Sequence, residues 1–106
     1  MKLSTEGQSV ERSGGVLRCP HCGGGLLRHL EVEVFTRAEG AAAVIKTTTA
    51  SDGQARSTLI ANRASGNPSP CGGGLRIKLT CDDCDAAPFF LTLGRHQGGI
   101  ELGWAD

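Results

Sequence analysis

The chain has 106 residues, of which 39% are hydrophobic, four are aromatic and 16 are glycine. Eleven basic residues balance eleven acidic residues, so the total charge favours neither a nucleic acid nor a membrane as partner. No segment reaches the roughly 18 apolar residues of a membrane span, and the N-terminus lacks the apolar run of a signal peptide. We therefore predict a cytoplasmic protein without membrane contact, whose thin core needs disulfides or a metal ion for stability.

The elements of the N-terminal half are predicted from composition and alternation. Residues 1–15 are polar and rich in Gly and Ser, which predicts a flexible N-terminal tail before a single domain over 16–106. Across 30–37, apolar side chains alternate with mostly charged ones, which predicts a strand with one buried and one mostly exposed face. A second strand is predicted over 42–49, and 58–61 is predicted to be a short strand or part of a loop.

The C-terminal half has the clearer pattern. Residues 64–74 hold two prolines and a run of three glycines, a composition typical of a loop. Three alternating segments follow, over 75–80, 89–93 and 100–104, and Gly98-Gly99 between the last two suits a hairpin turn. No segment has the period of an amphipathic helix. The chain is therefore predicted to be all-β, with five or six antiparallel strands.

Two C-x-x-C motifs carry the chemistry, Cys19-Pro20-His21-Cys22 and Cys81-Asp82-Asp83-Cys84. Each motif places two thiolates on one tight turn, close enough to bind the same tetrahedral metal ion. In a reducing compartment, cysteine pairs are more often metal ligands than disulfides. The residue after such a turn often needs a positive φ, which Gly23 adopts freely and Asp85 tolerates. Two pairs predict a closed Cys₄ site for one structural Zn²⁺.

These motifs and their adjoining strands resemble the zinc-ribbon family, in which two cysteine knuckles at the ends of β-hairpins hold one zinc ion. The resemblance implies Cys19, Cys22, Cys81 and Cys84 as the ligands. The V-E-V-F-T-R strand, the N-P-S loop and the R-H-Q-G-G-I-E-L-G-W segment are also similar to small uncharacterised zinc-ribbon proteins of bacteria and phages. Compact ribbons have about 15–20 residues between their pairs, whereas 58 residues, 23–80, stand here. We therefore expect a zinc-ribbon sheet enlarged by an insertion between the knuckles.

A closed Cys₄ shell leaves no position for substrate, so we predict a non-enzymatic binding module whose partner is another protein. One alternative is a DNA- or RNA-binding ribbon that uses the basic 46–78 segment. Its candidate contacts are Lys46, Arg56, Arg63, Arg76 and Lys78. Nucleic-acid-binding modules usually place stacking aromatic residues among such cations, whereas here only Phe35 and Phe90 are expected to be exposed, which favours a solvated face. A second alternative is a thiol redox protein that uses each C-x-x-C as a dithiol.

The remaining candidate residues are assigned to other roles. Phe89 and Trp104 continue apolar alternations and are predicted to fill the core. Cys71 is predicted to be an incidental loop cysteine, because nothing near it in the sequence would depress its pKa. His21 is a spacer within the first motif and is predicted not to be a ligand. The sequence does not determine the oligomeric state.

Overall fold

The computed structural model describes residues 12–13 and 15–106. These residues form eight strands and one short 3₁₀ helix, Asn62–Ala64. The strands are β1 (Arg12–Ser13), β2 (Val16–Leu17), β3 (Leu27–Thr36), β4 (Ala43–Ala50), β5 (Ala55–Ala61), β6 (Gly74–Cys81), β7 (Phe89–His96) and β8 (Gly99–Ala105). The predicted all-β fold is confirmed. The predicted tail, 1–15, lies largely outside the described residues, and its Arg12–Ser13 segment pairs with β2.

Six strands form one antiparallel sheet in the order β5-β4-β3-β6-β7-β8. It consists of two three-stranded meanders, β3-β4-β5 and β6-β7-β8, which meet where β3 pairs with β6. The turn between β7 and β8 has two central residues, Gln97 and Gly98, with φ of 49° and 83°. Two consecutive positive φ values match the right-handed twist of the flanking strands. This turn lies one residue before the predicted Gly98-Gly99.

The two faces of the sheet differ in chemistry, because side chains of register partners lie on the same face. The apolar face carries two rows of four apolar residues across β3, β6, β7 and β8. These rows are Val32, Ile77, Leu91 and Trp104, and Val34, Leu75, Leu93 and Leu102. The charged face carries Glu31, Glu33, Lys46, Arg56, Arg76 and Lys78.

A loop over 62–73 packs against the charged face. There the sheet presents Gly74 beside Gly94, and the chain approaches so closely that a Cβ on Gly94 would lie 2.7 Å from the Pro68 carbonyl oxygen. The Ser69 hydroxyl accepts a 2.7 Å hydrogen bond from the Arg95 N–H. The glycines of β6 and β7 therefore make room for the loop.

The core lies at one end of the sheet. Phe89 is fully buried and meets the ring of Trp104 edge-on at a centroid distance of 5.3 Å. Leu79 and the sulfur-bearing Cys19 and Cys81 complete the buried cluster. The prediction that Phe89 and Trp104 fill the core is confirmed. Among the described residues, no helix is long and apolar enough to cross a membrane.

Candidate metal centre

The central strand pair brings the two cysteine motifs together. Cys19 and Cys22 lie on the turn that leads into β3, whereas Cys81 is the last residue of β6 and Cys84 follows it. Because β3 and β6 are antiparallel, the start of one lies beside the end of the other, and Leu27 is the register partner of Cys81. Two motifs that are far apart in the sequence therefore meet at one end of the sheet.

The four thiol groups form one compact cluster. All four Sγ atoms lie within 4.8 Å of one another. The Sγ atoms of Cys19 and Cys84 are 3.9 Å apart, and those of Cys22 and Cys81 are 3.7 Å apart. A tetrahedral ion with metal–sulfur bonds near 2.3 Å needs sulfur–sulfur separations of about 3.8 Å. The cluster therefore fits a single tetrahedral metal ion, with one sulfur from each predicted ligand.

Backbone N–H groups point at the sulfur atoms. The Cys19 Sγ accepts from His21 N at 3.4 Å, the Cys22 Sγ from Gly24 N at 3.4 Å, and the Cys81 Sγ from Asp83 N at 3.3 Å. Such bonds stabilise a thiolate more than a thiol, because they place partial positive charge beside the sulfur. Both turns are therefore arranged to hold charged sulfur ligands.

The first turn is closed in the way that its sequence predicts. Gly23 has a φ of 76°, and its N–H donates to the Cys19 carbonyl oxygen at 2.9 Å. The prediction that Asp85 plays the equivalent role is wrong. Among the described residues, Gln97 is the one non-glycine residue with a positive φ. Residues 82–88, which lead from the second turn into β7, include no residue with a positive φ.

The four thiols differ in their exposure to solvent: Cys19 and Cys81 are buried, Cys84 is half-buried and Cys22 is exposed. Burial raises the pKa of the Cys81 thiol to about 12, whereas the Gly24 N–H lowers the pKa of the exposed Cys22 thiol. A metal ion binds the thiolate form, so it has to displace a proton from Cys81 that would otherwise stay bound at neutral pH. Metal binding at this site therefore weakens as the pH falls.

The two turns are also joined by contacts that the sequence analysis did not identify. The Asp83 carboxylate accepts from Leu26 N at 3.3 Å, and Asp82 N donates to the Leu26 carbonyl oxygen at 2.9 Å. Arg28 forms a 3.2 Å ion pair with Asp82. The acidic pair between the second two cysteines therefore links the knuckles. In the sequence, Arg28 close to the first cysteine pair was a possible partner for Asp82. That contact can be predicted only when the register of β3 against β6 is known.

The other candidate residues of the sequence lie outside the cluster. His21 packs edge-on against the ring of Phe89, with centroids 5.6 Å apart. Cys71 is exposed on the 62–73 loop. The two histidines that the sequence analysis did not single out, His29 and His96, are exposed on β3 and β7. Within the described part of the chain, the four predicted ligands are the one group of three or more metal-binding side chains that lie together.

The predicted nucleic-acid contacts are distributed over the charged face, apart from Arg63 on the short 3₁₀ helix. Glu33 lies between two of them: it pairs with Arg76 at 2.5 Å and with Lys46 at 3.0 Å. Lys78 lies 3.8 Å from Glu31. Arg56 and Arg63 are exposed. Two carboxylates on the same face therefore pair with three of the five cations, and nucleic-acid binding by these residues stays a prediction.

The aromatic residues of the charged face are occupied by the same cations. The Arg76 guanidinium lies over the Phe90 ring at 3.9 Å from its centroid. Phe35 is 2% exposed and has Lys46 and Arg76 near its ring, 5.7 and 5.9 Å from its centroid. The prediction that Phe35 is exposed is wrong, because the alternation of β3 does not reveal what packs on each face of the sheet.

Glu33 gives this face a pH-dependent contribution to stability. Burial opposes its ionisation, but hydrogen bonds from Arg76 and Lys46 outweigh burial and lower its pKa below the ordinary 4.5. Glu33→Gln should lower the free energy of unfolding by about 2 kcal/mol at pH 7, because it leaves two half-buried cations without a charged partner. Because the folded-state pKa is the lower one, this difference should stay constant from pH 7 to 5 and shrink only below about 4.5.

Urea denaturation of the metal-loaded wild type and variant, each at the same pH, measures this difference. Glu31→Gln is the matched control, because its pair with Lys78 is more exposed and should contribute less than about 1 kcal/mol. A difference that already closes between pH 7 and 5 would contradict the lowered pKa of Glu33.

Comparisons of the chain with protein-family models, with curated proteins and with solved structures find no match. The assignment of the site therefore rests on its own geometry. Fold and site together define the class: a small antiparallel β protein with a four-cysteine metal-binding cluster at one end of its sheet.

Proposed function

We propose that this chain is a non-enzymatic zinc-ribbon-like module, in which one structural Zn²⁺ holds the sheet together so that it can bind another protein. The observation that carries the proposal is the cluster of four Sγ atoms within 4.8 Å of one another. Four thiolates in tetrahedral arrangement are typical ligands of zinc or iron. Zinc is the choice for a structural role, because it is redox-inactive and imposes no geometry of its own.

A structural rather than catalytic role is supported by the shell itself. Catalytic zinc keeps a coordination position for water or substrate, whereas here all four positions would be sulfur. Cys19 and Cys81 are buried in the same cluster as Phe89, Leu79 and Trp104. The ligands are thus part of the core, and the bound ion would contribute directly to folding. The cytoplasmic location belongs to the same proposal, since the site needs reduced thiols.

Protein binding is supported by the apolar face. Five of the large apolar side chains on this side of the sheet are 40 to 73% exposed, namely Val34, Ile45, Leu59, Ile100 and Leu102. Monomeric proteins rarely expose contiguous apolar patches larger than a few hundred Å² unless the patch is functional. A nucleic acid would instead need unpaired basic side chains on the protein. Three of the candidates, Lys46, Arg76 and Lys78, are paired with Glu33 or Glu31.

Native mass spectrometry beside a denaturing spectrum, on protein purified under reducing conditions, tests the proposal. We expect one zinc ion per chain and five reduced thiols. A bound iron ion would contradict the choice of metal, and two disulfides without metal would favour the redox alternative. Salt-dependent retention of the zinc-loaded chain on a DNA or RNA column, lost on replacing Arg76 and Lys78, would favour the nucleic-acid alternative.

A further inference from the structure

The apolar face has no covering layer among the described residues over most of its area. The 62–73 loop packs on the opposite face, and β2 covers only the end beside the metal centre, where Leu17 packs against the core. The two apolar rows therefore end in exposed residues, of which Val34 is 40% and Leu102 49% exposed. A single-layer sheet normally buries one face against another layer. This sheet needs a partner on its apolar side.

The composition of the apolar face points to a partner of the same kind. Along β3, β6, β7 and β8 both rows are apolar, whereas along β4 and β5 the same rows continue as Thr47 and Ser57, and as Thr49 and Ala55. Within these two rows the face thus has an apolar half and a mostly hydroxyl-bearing half, whereas the next row, further from the metal centre, carries Ile45 and Leu59. Charge is nearly absent: of the residues in register on this face, Arg95 at its margin is the one cation. Two copies of this face can therefore approach each other without repulsion between like charges.

The area is sufficient for a dimer. Six strands spaced about 4.8 Å apart and about six residues long give a face of roughly 29 by 20 Å, or about 600 Å² per copy. Pairing two such faces would bury at least about 1,200 Å² in total, because side chains add to the flat area. Stable interfaces begin near that value. The face is therefore large enough to hold a second copy without any further contact.

We propose that the partner of the apolar face is a second copy of this chain, packed sheet against sheet about a two-fold axis that runs across the strands. This inference specifies the partner of the proposed interaction module and rests on that function. Of the two axes that lie between the sheets, this one places the apolar half of each copy over the apolar half of the other. The axis parallel to the strands would place leucines of β7 and β8 over the hydroxyl groups of β4 and β5.

The same arrangement fits the shape of the face. A groove of about 460 Å³ runs between β2 and the sheet, and Val32, Ile77 and Leu91 of the first row line it. With the axis across the strands and midway between the two rows, Val34 of one copy lies over Val32 of the other, so an exposed side chain meets the groove. The two metal centres then lie at opposite ends of the dimer. Two sheets packed in this way would form a β-sandwich with a shared core.

Sedimentation equilibrium of the zinc-loaded full chain between about 1 and 100 µM tests the inference. The wild type should sediment as a dimer, with twice the monomer mass of 11.0 kDa. Val34→Lys combined with Leu102→Lys should weaken the dimer at least about 100-fold, because it buries unpaired charge in the interface. Both side chains are half-exposed in the monomer, so the variant should keep its metal and its fold. Glu101→Lys is the matched control, since it changes charge on the opposite face of β8 and should leave the dimer intact.

A crosslinking measurement tests the axis. In a Cys71→Ser background, Leu102→Cys should crosslink to its counterpart through a bismaleimide spacer of about 10 Å, because β8 then lies over β8 at a sheet separation near 10 Å. The control is the Cys71→Ser protein without the Leu102 substitution, which shows how much crosslinking the four metal-binding cysteines give by themselves. A dimer that does not crosslink would overturn the arrangement. A zinc-loaded chain that stays monomeric at 100 µM would overturn the inference but not the proposed zinc site. A chain that binds no zinc would contradict the proposed function itself.

Discussion

Replacing Cys81 by serine should remove the metal and unfold most of the chain. Structural zinc contributes about 10–16 kcal/mol to the folding of zinc-finger peptides, which is as large as the whole stability of a typical domain, about 5–15 kcal/mol. Cys81 is also buried in the core cluster beside Leu79 and Phe89. The variant therefore loses a ligand and places a hydroxyl where the core has sulfur, so no other contact can compensate.

Circular dichroism during heating and zinc content by mass spectrometry measure both effects on the same sample. Cys71→Ser is the matched control, because Cys71 is exposed on a loop outside the cluster. The control should keep one zinc ion and its melting temperature. A Cys81→Ser protein that melts like the wild type and retains its zinc would show that the cluster is not the stabilising centre.

Replacing Phe89 by alanine should lower the free energy of unfolding by about 3–5 kcal/mol, the usual cost of removing a large side chain from a core. Its ring has no exposure to solvent, and it touches both Trp104 and His21 edge-on. Because His21 lies between Cys19 and Cys22 of the metal-binding cluster, the cavity should also loosen the first knuckle. We expect the affinity for zinc to fall together with stability.

Urea denaturation of the zinc-loaded protein and competition with a chromogenic chelator measure these two quantities. The neighbouring Phe90→Ala is the matched control, since Phe90 lies on the opposite, charged face and is only half-buried. It should lose the contact with Arg76 and a smaller part of the stability, with no change in zinc affinity. Equal effects of the two substitutions would contradict the placement of the core beneath the metal centre.

The sequence was sufficient for those features that depend on local pattern. Alternation predicted the segments of β3, β4, β6, β7 and β8, because successive side chains in a strand point to opposite faces. The spacing within each C-x-x-C motif predicted the ligands, because the two thiolates of one tight turn can reach the same ion. Neither prediction required knowledge of which strands are neighbours in the sheet.

Features that depend on the packing of distant segments could not be predicted in this way. The alternation of β3 predicts that Val34 is buried and Glu33 exposed, yet Val34 is 40% exposed and Glu33 is 7% exposed. The reason is that the 62–73 loop packs on the charged face while the apolar face lacks a covering layer within the described chain. Likewise, the contact of Asp83 with Leu26 depends on the pairing of β3 with β6. No local signal encodes that register.

The meeting of two meanders at the β3–β6 pair has a consequence for how the protein assembles. Each meander is contiguous in sequence, so its strands pair through local hairpins that form rapidly. The pairing of β3 with β6 is slower, because it brings together residues as distant in sequence as Leu27 and Cys81. Each half also carries only two of the four sulfur ligands. A half-assembled chain can therefore offer the ion no more than bidentate binding. Occupancy of the metal site would then report that both halves have docked, and metal uptake and completion of the sheet would be one equilibrium.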